Sequence, residues 1–362
     1  MDVEDFRREA RAWLDSHRGQ APPDYGAILP VDLVDAGRAW QRTLSDAGWA
    51  GIHWPVEHGG RGLTPEHTAA WTTECALAEV PPWINMVGVV LTGGSILAFG
   101  TEEQQRTHLR GILEAEQVWC QLFSEPGAGS DLASLACRAE PDGDGWVVTG
   151  QKVWCSNGRV ADRGILLARS DPEAPRHAGI SFFLVDMHAP GIEVRPLRQM
   201  TGGSEFDEVF LDEVHLPADA LLGPLHGGWG VAMATLTNER GHIGSAGISL
   251  ARRLDAIAAM DGADDTVAKD RLAALVGRGR ALQAMASRQG PVASVAASLA
   301  KLGVTELLFD AAVLEADLAG APSMLRGGAT DRLLGAPGGR IAGGTTQVQK
   351  NIIGERLLGL PK

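Results

Sequence analysis

The chain has 362 residues and only four cysteines, with no Cys-x-x-Cys pair. That leaves little support for a structural zinc site or a disulfide framework. Cys75, Cys120, Cys137 and Cys155 are dispersed, as expected of buried small hydrophobes in a reducing compartment. Long apolar runs are missing too. The most apolar stretch, residues 86–100, falls short of the roughly 20 residues a membrane span needs and contains glycines. The opening MDVEDFRREARAWLDS is charged from its second residue and has no apolar signal core. An excess of positive charge is also absent: 32 Lys plus Arg stand against 45 Asp plus Glu, a formal charge of −13. Such a surface repels nucleic-acid phosphates and anionic membranes, and the clearest basic pair, Arg252 and Arg253, has acids close by. These absences predict a soluble, cytoplasmic protein that binds no metal, nucleic acid or membrane.

What is present is an ordinary globular composition, 44% hydrophobic and 21% charged. The length exceeds what one core usually supports, so two or three domains are expected. The periodicity predicts a helical region over 1–118, a β region over 119–224 and a helical bundle over 225–362. In the first, Phe6, Ala10, Trp13 and Leu14 share one helical face. Further helices are expected over 33–47, 64–79 and 101–116, the last capped by Thr101. The loop GWAGIHWPVEHGGRGLTPE lies between two of them. The middle region carries short Val/Ile/Phe/Leu runs at 145–153, 164–169, 179–186, 192–197 and 208–214, separated by Asp-Gly and Pro-Gly turns. Closely spaced strands of this kind predict a small antiparallel barrel or sandwich. Helical periodicity then returns over 228–257, 266–287, 292–318 and 345–358, a pattern suited to a four-helix antiparallel bundle. The fold class is therefore α+β multidomain.

GAGSD at 127–131 is not a dinucleotide fingerprint, because the full GxGxxG and its βαβ setting are missing. In its wider context, however, WCQLFSEPGAGSDLASL (119–135) resembles the signature of the acyl-CoA dehydrogenase family. GWAGIHWP (48–55), VVTGQKVWCSNG (147–158) and GGTTQVQKNIIGERLLGLP (343–361) match further family motifs in order. The resemblance spans nearly the whole chain. It implies the acyl-CoA dehydrogenase fold, with an N-terminal helical domain, a central antiparallel β-barrel and a C-terminal four-helix bundle, and it implies FAD as cofactor.

By the same resemblance, Gln121, Phe123, Ser124, Gly129 and Ser130 belong to the segment that meets the flavin and pyrophosphate, with Ser130 also near substrate. A turn rich in backbone N–H groups and hydroxyls suits such oxygens. Trp154 and Ser156 match the family's Trp-x-Ser/Thr, where the indole packs on the flavin and the hydroxyl bonds near N5; Trp154 alone would read as a core aromatic. Thr345 and Gln347 match positions near the cofactor, and Thr345 also suits a helix cap.

The family reaction removes an α-proton from an acyl-CoA thioester while the β-hydrogen leaves as hydride to flavin N5. Hydrogen bonds must receive the charge that develops on the thioester oxygen, and the base should be a carboxylate in a partly dry pocket. Many relatives carry that glutamate just before the Gly-Thr of the C-terminal motif, but here the position is Gly343. Another branch, including isovaleryl- and long-chain-type enzymes, places it before an arginine on the first bundle helix, where LTNERGHIG supplies Glu239 and Arg240. Glu239 is therefore the expected base and Arg240 an expected contact to substrate or CoA. The family's carbonyl contact near Gly343 and Gly344 uses a backbone N–H, which glycine retains.

Two family features are missing. The Arg-x-x-Phe-Gly segment that grips a neighbouring subunit's FAD pyrophosphate is replaced by AIAAMDGADDTVAKDRL (256–272), and no Gln-x-x-Gly-Gly is recognisable over 318–339. A homotetramer would lack those cationic clamps, so a heterotetramer with a related chain is expected as an alternative, as in actinobacterial relatives acting on steroid side chains. The expected electron acceptor is an electron-transfer flavoprotein. The competing readings are a supporting, non-catalytic subunit of a heteromeric dehydrogenase and an oxidase using O2.

Overall fold

The computed structural model describes residues 1–23, 25, 28–240, 246–286 and 295–361, with the backbone alone at 237–240, 246 and 286. The chain divides into two compact units, Met1–Arg198 with Ser204–Glu239, and Gln199–Gly203 with Arg240–Lys362.

The first unit opens with α1 (Val3–His17), α2 (Val34–Asp46) and α3 (Pro65–Ala78), continues through a π-helical turn (Val87–Thr92) into α4 (Gly93–Phe99), and then α5 (Glu102–Leu113). Of the face expected on α1, Phe6, Ala10 and Leu14 are buried and Trp13 is half-buried against the same core. Thr101 caps α5, accepting from the Gln104 N–H at 3.2 Å while the Gln104 side chain returns a bond to the Thr101 N–H. Trp40, Trp49, Trp54, Trp71, Trp83 and Trp119 are all essentially buried, and Trp49 stacks on Trp71 at 4.7 Å. The tight loop between α2 and α3 owes its glycine to contact: a Cβ on Gly60 would sit 2.1 Å from the Trp54 carbonyl oxygen.

The sheet has seven strands: β1 (Trp119–Leu122), β2 (Arg138–Asp142), β3 (Gly145–Ser156), β4 (Arg163–Arg169), β5 (Ile180–Asp186), β6 (Ile192–Leu197) and β7 (Phe206–Leu216). β4 and β5, β2 and β3, β3 and β7, and β6 and β7 pair antiparallel. The sequence pattern does not mark β1 and β2, and both meet β4 in parallel. β1 is only four residues long, too short for an alternation to register. β4 and β5 are buried along nearly their whole length, as continuous apolar runs require.

After the sheet comes α6 (Gly228–Arg240). The second unit contains α7 (Ala246–Ala258), α8 (Thr266–Ala286), α9 (Ala296–Ala319), α10 (Gly328–Ile341) and α11 (Thr346–Arg356). Leu250, Leu254, Ile257, Leu275, Leu307, Ala311 and Leu314 form its core. Of the basic pair, Arg253 faces Glu315, a buried carboxylate that Arg332 of α10 also meets. Helix α10 is an addition to the expected bundle. Pro337 lies inside it and it buries no residue, so neither propensity nor an apolar face marks the segment as a helix. Among the described residues no helix is long and apolar enough to cross a membrane.

Candidate active site

In the first unit, two of the matched segments meet side by side. The Val153 N–H donates to the Ser124 carbonyl at 2.9 Å, which sets the 121–130 segment against the Trp154–Ser156 end of β3. The turn at 125–128 is closed by paired bonds, Glu125 N–H to the Ala128 carbonyl at 3.1 Å and Ala128 N–H to the Glu125 carbonyl at 3.0 Å. Gly127 and Gly129 face open space, with nothing within 4 Å of a notional Cβ. The Phe123 ring is core, 4% exposed and edge-on to Phe182, so only its backbone remains available. The side-chain polar groups of Gln121, Ser124, Ser130 and Ser156 have no hydrogen-bond partner among the described residues.

Trp154 is not a core aromatic. Its indole is 58% exposed, and the reason is a bulge. Between Lys152 and Cys155 the β3–β7 register shifts by one residue, and Trp154 takes φ +60°, a left-handed conformation rare for a bulky residue. Strict alternation would have turned Trp154 to the side of buried Val148 and Lys152; the bulge reverses the parity, so Trp154 faces out and Cys155 faces in. Phe206 supports the indole edge-on at 5.8 Å. Strain of this sort persists where the surroundings over-determine it, commonly at ligand sites.

The groups holding this arrangement were not singled out in the sequence. Lys152 is fully buried and donates to Glu125 Oε1 at 2.7 Å and to the Phe123 carbonyl at 3.2 Å. Glu125 also accepts from the Ala136 and Cys137 N–H groups at 2.7 and 2.9 Å. One buried ion pair thus ties both arms of the SEPGAGSD turn to the middle of β3. The signal available was parity: Lys152 shares the inward side of the strand with Val148, and a buried lysine requires an acid. On the far side, Asp207 accepts from the Arg159 N–H at 2.9 Å and pairs with its guanidinium. Burial raises the Asp207 carboxyl above its ordinary value against the pull of Arg159.

All four cysteines are free and buried. Burial pushes the Cys155 thiol up to about 12 and raises those of Cys75, Cys120 and Cys137 as well. They are unsuited to serve as nucleophiles.

In the second unit, Gly343 and Gly344 both adopt positive φ, +64° and +95°, in the link between α10 and α11. Thr345 is the N-cap of α11, its hydroxyl accepting from the Val348 N–H at 3.2 Å, and Gln347 is exposed one residue into the helix. Glu239 and Arg240 end α6; the placement of their side chains lies outside the described residues.

The comparisons with known proteins agree with these motifs. The N-terminal, middle and C-terminal domains of acyl-CoA dehydrogenases match residues 2–116, 120–214 and 226–358. The chain is 40% identical to the acyl-CoA dehydrogenase IpdE1 of Mycobacterium tuberculosis, with all of this chain and 99% of that protein covered. The chain belongs to the acyl-CoA dehydrogenase family.

Among solved structures, the Tcur3481-Tcur3483 steroid ACAD superposes with TM-score 0.84 at 26% identity over all of both chains. The ChsE4-ChsE5 complex from Mycobacterium tuberculosis gives 0.81 at 27%, covering 99% of this chain and 98% of that one. Acyl-CoA dehydrogenases are FAD-dependent flavoproteins. The first unit's residues fit that group: an exposed, strained indole offers a flat apolar face. Beside it stand unpaired hydroxyls and an open glycine turn suited to polar ring atoms and phosphate oxygens.

Proposed function

We propose that this dehydrogenase removes the α- and β-hydrogens of an acyl-CoA thioester in the cytoplasm, with Glu239 as the base. FAD, when bound, supplies the hydride acceptor. Trp154, Ser156, Gln121, Phe123, Ser124, Gly129, Ser130, Thr345 and Gln347 are the residues proposed to hold it. Glu239 takes the α-proton, and N–H groups of the loop at Gly343 and Gly344 receive the thioester oxygen as charge develops there. Arg240 and Ser130 are proposed contacts to the substrate. The observation that carries this reading is Trp154, a large indole held outward by a bulge beside unpaired hydroxyls. The absence of a carboxylate at Gly343 favours Glu239 over the family's other placement.

The test is spectroscopic. The purified protein should carry the visible absorbance of a flavin and lose it on anaerobic addition of its acyl-CoA. In Glu239→Gln that loss should slow by on the order of 10³-fold. Bleaching at the wild-type rate would rule Glu239 out as base. A steroid-derived acyl group is proposed from the full-length likeness to the steroid ACAD. An electron-transfer flavoprotein is the proposed acceptor, and peroxide released in proportion to turnover would show an oxidase instead.

We also propose a heterotetramer with a related chain. The segment after α7 carries Asp261, Asp264 and Asp265, and Asp265 is engaged as a cap of α8, accepting from the Val267 N–H at 2.9 Å. This acidic turn is a poor partner for a pyrophosphate. Both likened structures, Tcur3481-Tcur3483 and ChsE4-ChsE5, are named as pairs of chains. A chain expressed alone that forms a homotetramer with one FAD per subunit would sink this second proposal.

A further inference from the structure

Helices α4 and α6 of the first unit meet at two places, and the two contacts fix a direction. Ser95 of α4 and Thr235 of α6, both buried, share a hydrogen bond of 2.7 Å between their hydroxyls. Nearer the start of α6, a Cβ on Gly223 would lie 3.7 Å from Phe99 of α4 and 3.0 Å from Val231 of α6. From Ser95 to Phe99 the neighbour on α6 therefore moves back from Thr235 to Val231, so the helices run in opposite senses. The converse step is one turn before Ser95 and one turn after Thr235. It brings the π-helical turn at Val87–Thr92 alongside the end of α6 that carries Glu239.

That turn is held there at a cost. π-helical turns are rare and frequently mark functional sites. The fully buried Thr92 hydroxyl has no partner among the described residues, which stability alone does not favour. Gly93, just after the turn, lies against the Trp54 ring with no room for a Cβ, so the turn cannot draw back. Its start is set by Asn85, 1% exposed, whose carboxamide makes all four of the bonds open to it. Nδ2 donates to the Ile112 and Gln117 carbonyls at 3.1 and 2.7 Å. Oδ1 accepts from the Gly88 N–H at 3.2 Å and from the Trp119 N–H at 3.0 Å. Gly88 belongs to the π turn, and Trp119 opens β1, the strand that leads into the 121–130 segment. One buried oxygen thus joins the turn beside the proposed base to the strand proposed to meet the flavin.

We propose that Asn85 is a positioning residue, which keeps the π turn in register with β1 and so sets where the substrate's α-carbon lies between base and flavin. The inference rests on the proposed role of Glu239. A displacement of about 1 Å at such a place costs on the order of 10²-fold in rate, so a residue remote from the chemistry can govern it.

The test uses a thioester that stops at proton transfer. Methylthioacetyl-CoA offers an α-proton to the base but has sulfur in place of the β-carbon, so no hydride can leave. Its anion, stacked on oxidised flavin, gives a long-wavelength charge-transfer absorbance that reads alignment without turnover. The FAD-loaded wild type should develop this band on titration. In Asn85→Ser and in Gly88→Ala the band at saturating probe should fall by on the order of tenfold per bound flavin, with FAD content, helical circular dichroism and calorimetric binding of the probe retained. A purely structural role would lower FAD content and leave the band per flavin unchanged. Gly88→Ala keeps the asparagine but pushes a Cβ into its carboxamide, and it decides the matter if Asn85→Ser does not hold FAD. A wild type with no band overturns the proposed chemistry and this inference with it. A full band per flavin in both variants overturns the inference alone.

Discussion

The two units hold the residues singled out in each by different means. Around Trp154 the work is done by a strand ladder and a buried ion pair, Lys152 with Glu125, so the segment belongs to a continuous packed core. Around Gly343 there is no ladder. A two-glycine link between α10 and α11 is fixed by the side chains of Lys301 and Gln349 reaching its carbonyls, beside a helix that buries no residue. In the first case geometry and stability are one property. In the second they are separable, and substitutions should divide accordingly.

The largest expected effect lies in the first unit. Lys152→Met leaves Glu125 buried with its two backbone donors and no cation, a loss of about 3–5 kcal/mol, read as a fall in the urea midpoint. Adding Glu125→Gln to the same chain should recover much of it, since the uncompensated charge is then gone. A single variant as stable as wild type would mean that the pair does not tie the turn to β3. Next is Trp154→Gly. Glycine relieves the left-handed strain but loosens the unfolded chain, so the two effects leave stability within about 1 kcal/mol. FAD should nevertheless dissociate readily on gel filtration. Retention of the cofactor at the wild-type level would show the indole to be a bystander.

Much of this was legible in the residues. The caps, buried faces and order of regions follow from periodicity, and the motif at 119–135 marked the turn that meets β3. The outward indole was not, because alternation along β3 places Trp154 with Val148 and Lys152, and only a bulge undoes that parity. Lys152 and Lys301 were not singled out in the sequence; each is buried by contacts far away along the chain, 27 residues to Glu125 and 43 to Gly344. Helix α10 hid behind Pro337 and its glycines for a local reason, since propensity speaks against the helix that the neighbouring α9 supports.

In the second unit, Gln349→Met should change stability by less than about 1 kcal/mol. It gives up one hydrogen bond but also removes the unpaired Oε1. A drop comparable to that of Lys152→Met would make the glycine link structural in the same sense as the β3 turn, and the contrast between the units would collapse.

The smallest effect sharpens the contrast through pH. His108 on α5 is 8% exposed, bonded to Gln117 Oε1 at 3.0 Å and edge-on to Trp119. Burial lowers its pKa, the bond to Gln117 opposes that, and Arg163 adds to the lowering. The folded value thus lies below the unfolded one near 6.5. Between the two values the unfolded chain binds the extra proton, so stability is complete above about pH 6.5 and is lost as pH falls through the folded value. His108→Gln should flatten that part of the urea-midpoint profile. Its amide keeps an N–H donor for Gln117 and does not titrate, so an unchanged acid slope would assign the loss to other groups. The stability of Gln349→Met, whose altered group is also neutral, should keep the wild-type slope. Acid sensitivity from His108 would then belong to the packed core around the tryptophans and not to the glycine link.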